Sequence, residues 1–93
     1  MGRQEPNAQT WAESAAQMGI LLHRARVDRG LSQEAVAFRA GLTRYTYQRY
    51  ERGVSQSGQA ANPTLRSLVA LAQVLDVPLA DLLPSSFPDL TSR

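Results

Sequence analysis

The 93-residue chain contains no cysteine, which excludes disulfide bridges and thiolate metal sites. Its single histidine, His23, has no carboxylate cluster near it in sequence, so no zinc or iron site is expected. Lysine is absent too: all ten basic residues are arginine. No apolar run approaches the roughly 20 residues of a membrane span, and no secretory signal pattern opens the chain. A soluble, cytoplasmic protein without a membrane partner is expected. No phosphate-cradling glycine loop is present and no nucleophile stands beside a base, so neither enzymatic activity, a small-molecule substrate nor a cofactor is expected. Alternation of apolar and polar residues, the mark of a half-buried strand, is missing throughout.

What the chain does contain is enough apolar residue, 43%, for one modest core in one domain. The formal net charge of +2 is unevenly placed. Residues 1–53 hold eight arginines against five acids, and residues 54–93 hold two against three. Arginine suits bidentate contact with phosphates and guanine edges; a GC-rich genome that favours arginine codons is the preferred account of the bias.

Helix signals recur at short intervals. Residues 1–9 read as a loose arm. Thr10 followed by Glu13 forms a capping box, and Trp11, Ala15, Met18, Leu22 and Ala25 then share one stripe at ~100° per residue. This first helix ends near Arg29, with Gly30 as terminator. A second helix is predicted from its N-cap Ser32 to Ala40, burying Val36 and Ala37. Thr43 caps a third, which Gly53 ends. Asn62, Pro63 and Thr64 introduce a fourth, with Leu65, Leu68, Ala72 and Leu75 inward. A short fifth, Leu79 to Leu83, lies between Pro78 and Pro84. The expected fold is all-α, a compact five-helix domain over residues 10–83 with a tail over 84–93.

Two short helices joined through Gly41-Leu42-Thr43 have the geometry of a helix-turn-helix. The third helix divides cleanly: Tyr47 and Tyr50 point inward, while Tyr45, Arg49 and Arg52 point outward with Gln48 beside them. Arginine matches guanine O6 and N7, and glutamine matches adenine. A tyrosine packs on a thymine methyl or reaches a phosphate through its hydroxyl. An ordinary solvated helix face carries the same residue types.

The run Arg29-Gly30-Leu31-Ser32-Gln33-Glu34, the close Tyr50-Glu51-Arg52-Gly53, the start Asn62-Pro63-Thr64-Leu65 and the passage Leu75-Asp76-Val77-Pro78-Leu79 occur in a telling order and spacing. Together they resemble the XRE family, the lambda-repressor and Cro type of helix-turn-helix, over about residues 18–83. The resemblance implies that Arg44, Tyr45 and Arg49 read bases, with Gln48 an addition. It implies backbone contacts for Gln33, Thr43, Arg52 and Thr64, and a structural pair of Arg26 with Glu51 that orients the third helix. It further implies a transcriptional regulator of double-stranded DNA, a repressor binding a near-palindromic operator as a homodimer.

The chain departs from the family in two places. Tyr47 and Tyr50 stand where aliphatic residues are usual. The eight residues Val54–Ala61 replace a much shorter connection, and their Ser-Gln-Ser-Gly-Gln composition suggests a flexible loop, either tolerated surface or lying along the DNA backbone. His23 reads as an exposed bystander, and Trp11 as core or as a cover over one end of the bundle. Ala16, Ile20 and Val27 form a second apolar stripe on the first helix, which the arm, a second protomer or a protein partner would cover. Phe87 and Leu90 in the tail raise the same need. The rival reading is a protein-interaction role, as an antitoxin or a transcription adaptor.

Overall fold

Each of the four α-helices among the described residues begins at a serine or threonine whose hydroxyl accepts a hydrogen bond from the backbone amide three residues on. Thr10 heads α1 (Trp11–Asp28), Ser32 heads α2 (Gln33–Ala40), Thr43 heads α3 (Arg44–Arg52) and Thr64 heads α4 (Leu65–Leu75). Each such cap satisfies an orphan amide and contributes about 1 kcal/mol. At Thr10 the cap is reciprocal, since Glu13 accepts from the Thr10 amide at 2.8 Å. These ends are described by a computed structural model covering residues 10–92. The arm expected over residues 1–9 lies outside the described residues.

The fifth helix of the sequence reading is a single 3-10 turn, Leu79–Leu82. Its bonds are the short kind, Asp81 N to Pro78 O at 3.0 Å and Leu83 N to Ala80 O at 3.2 Å. Proline at 84 disfavours helical backbone in the residue before it, and Leu83 is accordingly extended at φ −103° and ψ 140°. Too few residues remain after Pro78 for an α-helix to propagate.

α1 lies against α3, α2 against both α3 and α4, and the 3-10 turn closes over α1 and α4. Leu22, Val36, Tyr47, Leu71, Leu75 and Leu82 are fully enclosed among them. One expected core residue is misplaced: Leu65 is 69% exposed, and Leu71 is buried instead. Leu65 is the first residue of α4 and lies nearly a quarter turn from the stripe of Leu68, Leu71 and Leu75 at ~100° per residue.

Two glycines set how closely α1 and α3 approach. A Cβ at Gly19, in the middle of α1, would sit 2.3 Å from the Glu51 carbonyl oxygen and 2.8 Å from that of Tyr50. A Cβ at Gly53 would sit 2.9 Å from Cα of Ala16. Gly53 also ends α3 in the left-handed conformation, φ 76°, which disfavours any residue with a Cβ.

Residues 54–61 form a narrow hairpin where a flexible loop was expected. Val54 and Ala60 make an antiparallel bridge, and Ser55 N donates to Gln59 O at 2.7 Å. Gly58, at φ 85°, closes the turn by donating to Ser55 O at 3.0 Å. The hairpin is tied at its base: Ala61 N donates to Gly53 O, and Trp11 Nε1 donates to Ala61 O at 3.1 Å. Backbone bonds hold it, so no alternating side-chain pattern announces it. Phe87 of the tail stacks on Trp11, with ring centroids 6.3 Å apart and planes at 25°.

Alanine is worth about 1 kcal/mol more than glycine inside a helix. Gly19→Ala is nevertheless expected to destabilise the protein by about 2 kcal/mol or more, because the atoms it meets are backbone. Urea denaturation measures this; a midpoint at or above that of the wild type would show that the helices can part freely.

Candidate nucleic-acid interface

The turn between α2 and α3 is built from three residues. Gly41 leaves α2 at φ 75°, Leu42 N donates back to Ala37 O at 2.8 Å, and Thr43 starts α3. The pair is thereby held as a rigid corner, with Val36, Ala37 and Tyr47 in the core beneath it. The opposite side of α3 faces outward. Arg44, Tyr45 and Arg52 are exposed there, and Gln48 and Arg49 are half-buried. The Arg44 guanidinium lies 5.1 Å from the Tyr45 ring centroid, a cation–π arrangement that holds both in a defined pose. Arg49 Nη2 reaches Thr46 Oγ1 at 3.4 Å.

Glu51 is the one acidic residue of α3, and it is turned away from that face with its side chain 5% exposed. Arg26 of α1 grips it with two bonds, Nε to Oε2 at 2.6 Å and Nη2 to Oε1 at 3.2 Å. Gln33 Nε2 donates to Oε1 at 3.0 Å, and the Tyr47 hydroxyl donates to Oε2 at 2.5 Å. His23 Nδ1 lies 3.3 Å from Oε1 and 3.2 Å from Arg26 Nη2, so it belongs to the cluster and is no bystander. Burial alone would push the Glu51 carboxyl up. The bonds from Arg26, Tyr47, Gln33 and His23 outweigh it and hold the group at about 2. Burial, reinforced by the bond to Glu51, pushes the Tyr47 phenol up. The bond that Arg26 donates to Glu51 holds its guanidinium above the usual arginine range.

Gln33 links this cluster to the outward face, because its Oε1 accepts from Gln48 Nε2 at 3.3 Å. Arg26, Gln33, Gln48 and Glu51 are therefore one continuous network from α1 through α2 to α3. The hydroxyls of Thr43 and Thr64 are occupied as helix caps and donate to Thr46 Oγ1 and Ser67 Oγ respectively. Arg66 and Ser67, just past Thr64, line a surface groove with Gly41 and Leu42, which sets the start of α4 beside the turn. Sequence reasoning missed the parts of Tyr47 and His23. Tyr47 and Glu51 are four apart, and His23 and Arg26 three apart, which are neighbouring positions on a helix. It also missed that the hairpin lines a groove of about 330 Å³ with Tyr45, Gln48, Arg49 and Arg52.

Among the described residues, a helical bundle that holds a cationic, aromatic-bearing helix outward on the far side of a glycine turn has the architecture of a helix-turn-helix domain. The helix-turn-helix family model matches residues 22–82, and the chain belongs to that family, of XRE type. No match is found among curated proteins. Among solved structures, the restriction-modification controller protein C.AhdI from Aeromonas hydrophila is 35% identical, with 74% of this chain and 96% of that one covered and a TM-score of 0.64. The N-terminal DNA binding domain of SinR from Bacillus subtilis is 26% identical, with 75% and 94% covered and a TM-score of 0.64. A hydroxypropylphosphonic acid epoxidase from S. wedmorenis also matches at 25% identity and a TM-score of 0.63, over 76% of this chain but only 35% of that enzyme. The chain is a DNA-binding transcription regulator by family.

Because folding favours ionised Glu51, its contribution to stability is complete above about pH 5. It is lost as pH falls toward the folded-state value of about 2. Tyr47→Phe removes one donor and is expected to destabilise by about 1–2 kcal/mol, with acid unfolding beginning at higher pH. Urea midpoints collected as a function of pH test both statements. An acid limb that superimposes on the wild type would show that the Tyr47 hydroxyl does not hold the carboxylate.

Proposed function

We propose that the protein is a sequence-specific repressor that binds a near-palindromic operator as a homodimer, with α3 in the major groove. The observation that carries this is the outward face of α3: Arg44, Tyr45, Gln48 and Arg49 stand together there while Glu51 is buried and neutralised. In this reading those four side chains meet base edges. Gln33, Thr43, Arg52 and Thr64 meet the phosphate backbone, and the Arg26–Glu51 pair holds α3 at its angle. The DNA-binding unit comprises residues 10–83, with residues 1–9 as an arm and 84–93 as a tail, and it acts in the cytoplasm. One reading helix buries too little surface for tight specific binding, so two copies are needed, engaging half-sites about 34 Å apart. The likeness to a controller protein and to a DNA-binding domain supports this reading.

A second reading is a protein partner held on α1, favoured by the exposure of Ile20 and Val27, 49% and 55%. Co-purification with a stoichiometric partner would favour it, and DNA binding need not be lost.

Selection of bound fragments from genomic DNA at roughly 150 mM salt is expected to return a recurring near-palindrome. On that sequence Arg49→Ala should weaken binding by ~1–3 kcal/mol and relax preference at one base pair. Equal weakening on every sequence would remove Arg49 from the base-reading set.

A further inference from the structure

The hairpin of residues 54–60 stands on the same side of the molecule as the outward face of α3. Tyr45, Arg49 and Arg52 form one wall of the groove between them, and Ser55 and Gln56 form part of the other. An α-helix with its side chains is about 10–12 Å across, and the major groove is about 12 Å wide. α3 therefore fills the groove when it enters. Whatever projects beside it on the same face meets the sugar-phosphate ridge that borders the groove.

The chemistry of the hairpin suits that ridge. It offers hydroxyl and amide donors from Ser55, Gln56, Ser57 and Gln59, and no acidic residue occurs between Glu51 and Asp76. Gln56 and Ser57 are exposed at the tip. Serine and glutamine are regular phosphate ligands in DNA complexes. The hairpin is also braced, by its own backbone bonds and by the Trp11 indole on Ala61 O. The backbone that carries the donors is thus held in place before binding, so only their side chains require further ordering.

We infer that the hairpin is a second DNA-contacting element, in which Gln56 and Ser57 donate to phosphates flanking the base pairs that α3 covers. The inference rests on the reading of α3 as the helix that enters the major groove. It adds register and affinity from neutral donors, distinct from the cationic contacts of the arginines. Such donors displace no counterions, so they leave the salt dependence of binding untouched.

The test compares wild type with Gln56→Ala/Ser57→Ala on a duplex selected by the wild-type protein from a randomised pool. Both substituted side chains are exposed, and the bond lost between the Ser55 and Ser57 hydroxyls, 3.0 Å, lies on the surface, so urea midpoints close to that of the wild type are expected and serve as the folding control. The double variant should bind roughly tenfold more weakly, with the same base preference and the same slope of affinity against salt. Methylphosphonate replacement of the flanking phosphates should weaken the wild type more than the variant, because only the wild type loses the hairpin's hydrogen bonds as well as charge attraction. Equal affinities of variant and wild type would overturn the hairpin contact and leave the reading of α3 intact. Failure of the wild type to retain any duplex would overturn both.

Discussion

The arrangement of the whole domain depends on how one buried carboxylate is satisfied. Glu51 sits in the contact between α1 and α3 with little solvent access, and an unpaired charge there would cost several kcal/mol. Arg26, Gln33, Tyr47 and His23 surround it from α1, α2 and α3. A buried ion pair is weak evidence of stability, since desolvation offsets much of its attraction. Its stronger effect here is geometric. A bidentate guanidinium accepts few orientations, and three helices are tied to the same two oxygen atoms, so α3 has one rotational setting about its own axis. That setting decides which of its side chains face outward.

The close approach of the backbones belongs to the same constraint. Gly19 meets the carbonyl of Glu51 itself, so the side chain that collects hydrogen bonds and the backbone that α1 abuts belong to one residue. A larger residue at 19 would move α3 away from Arg26 as well as from α1. Packing and polar satisfaction are coupled at this point, and neither is adjusted without the other.

Electrostatically, the cluster removes the one negative charge of α3 from its outward face. The positive charges of Arg44, Arg49 and Arg52 then stand on that side without an opposing acid on the same helix. The chain's net charge of +2 understates this local field, because the opposing acids lie elsewhere or are paired. The hairpin that follows α3 continues the acid-free surface with neutral donors. Cationic side chains and neutral donors occupy adjoining walls of one groove, and in the proposed complex the first would supply salt-sensitive attraction and the second register.

By itself the sequence determined the helix caps, stops and stripes, which depend on neighbours within about four residues along a helix. The four helix starts at Thr10, Ser32, Thr43 and Thr64, the glycine stops at 41 and 53, and the inward stripe of α1 are all of this kind, because caps and amphipathic faces are local bargains between adjacent residues. The family was legible for a related reason, since Arg29–Glu34 and Tyr50–Gly53 are short runs at characteristic spacing. Only the tertiary structure decided the rest. It folded residues 54–61 into a braced hairpin and brought His23 of α1 and Gln33 of α2 to the Glu51 carboxylate. Gly19 is the clearest case: nothing adjacent in sequence requires a glycine there, and the atoms that do require it lie on another helix. Contacts of that range are set by how whole elements pack, which no local pattern encodes.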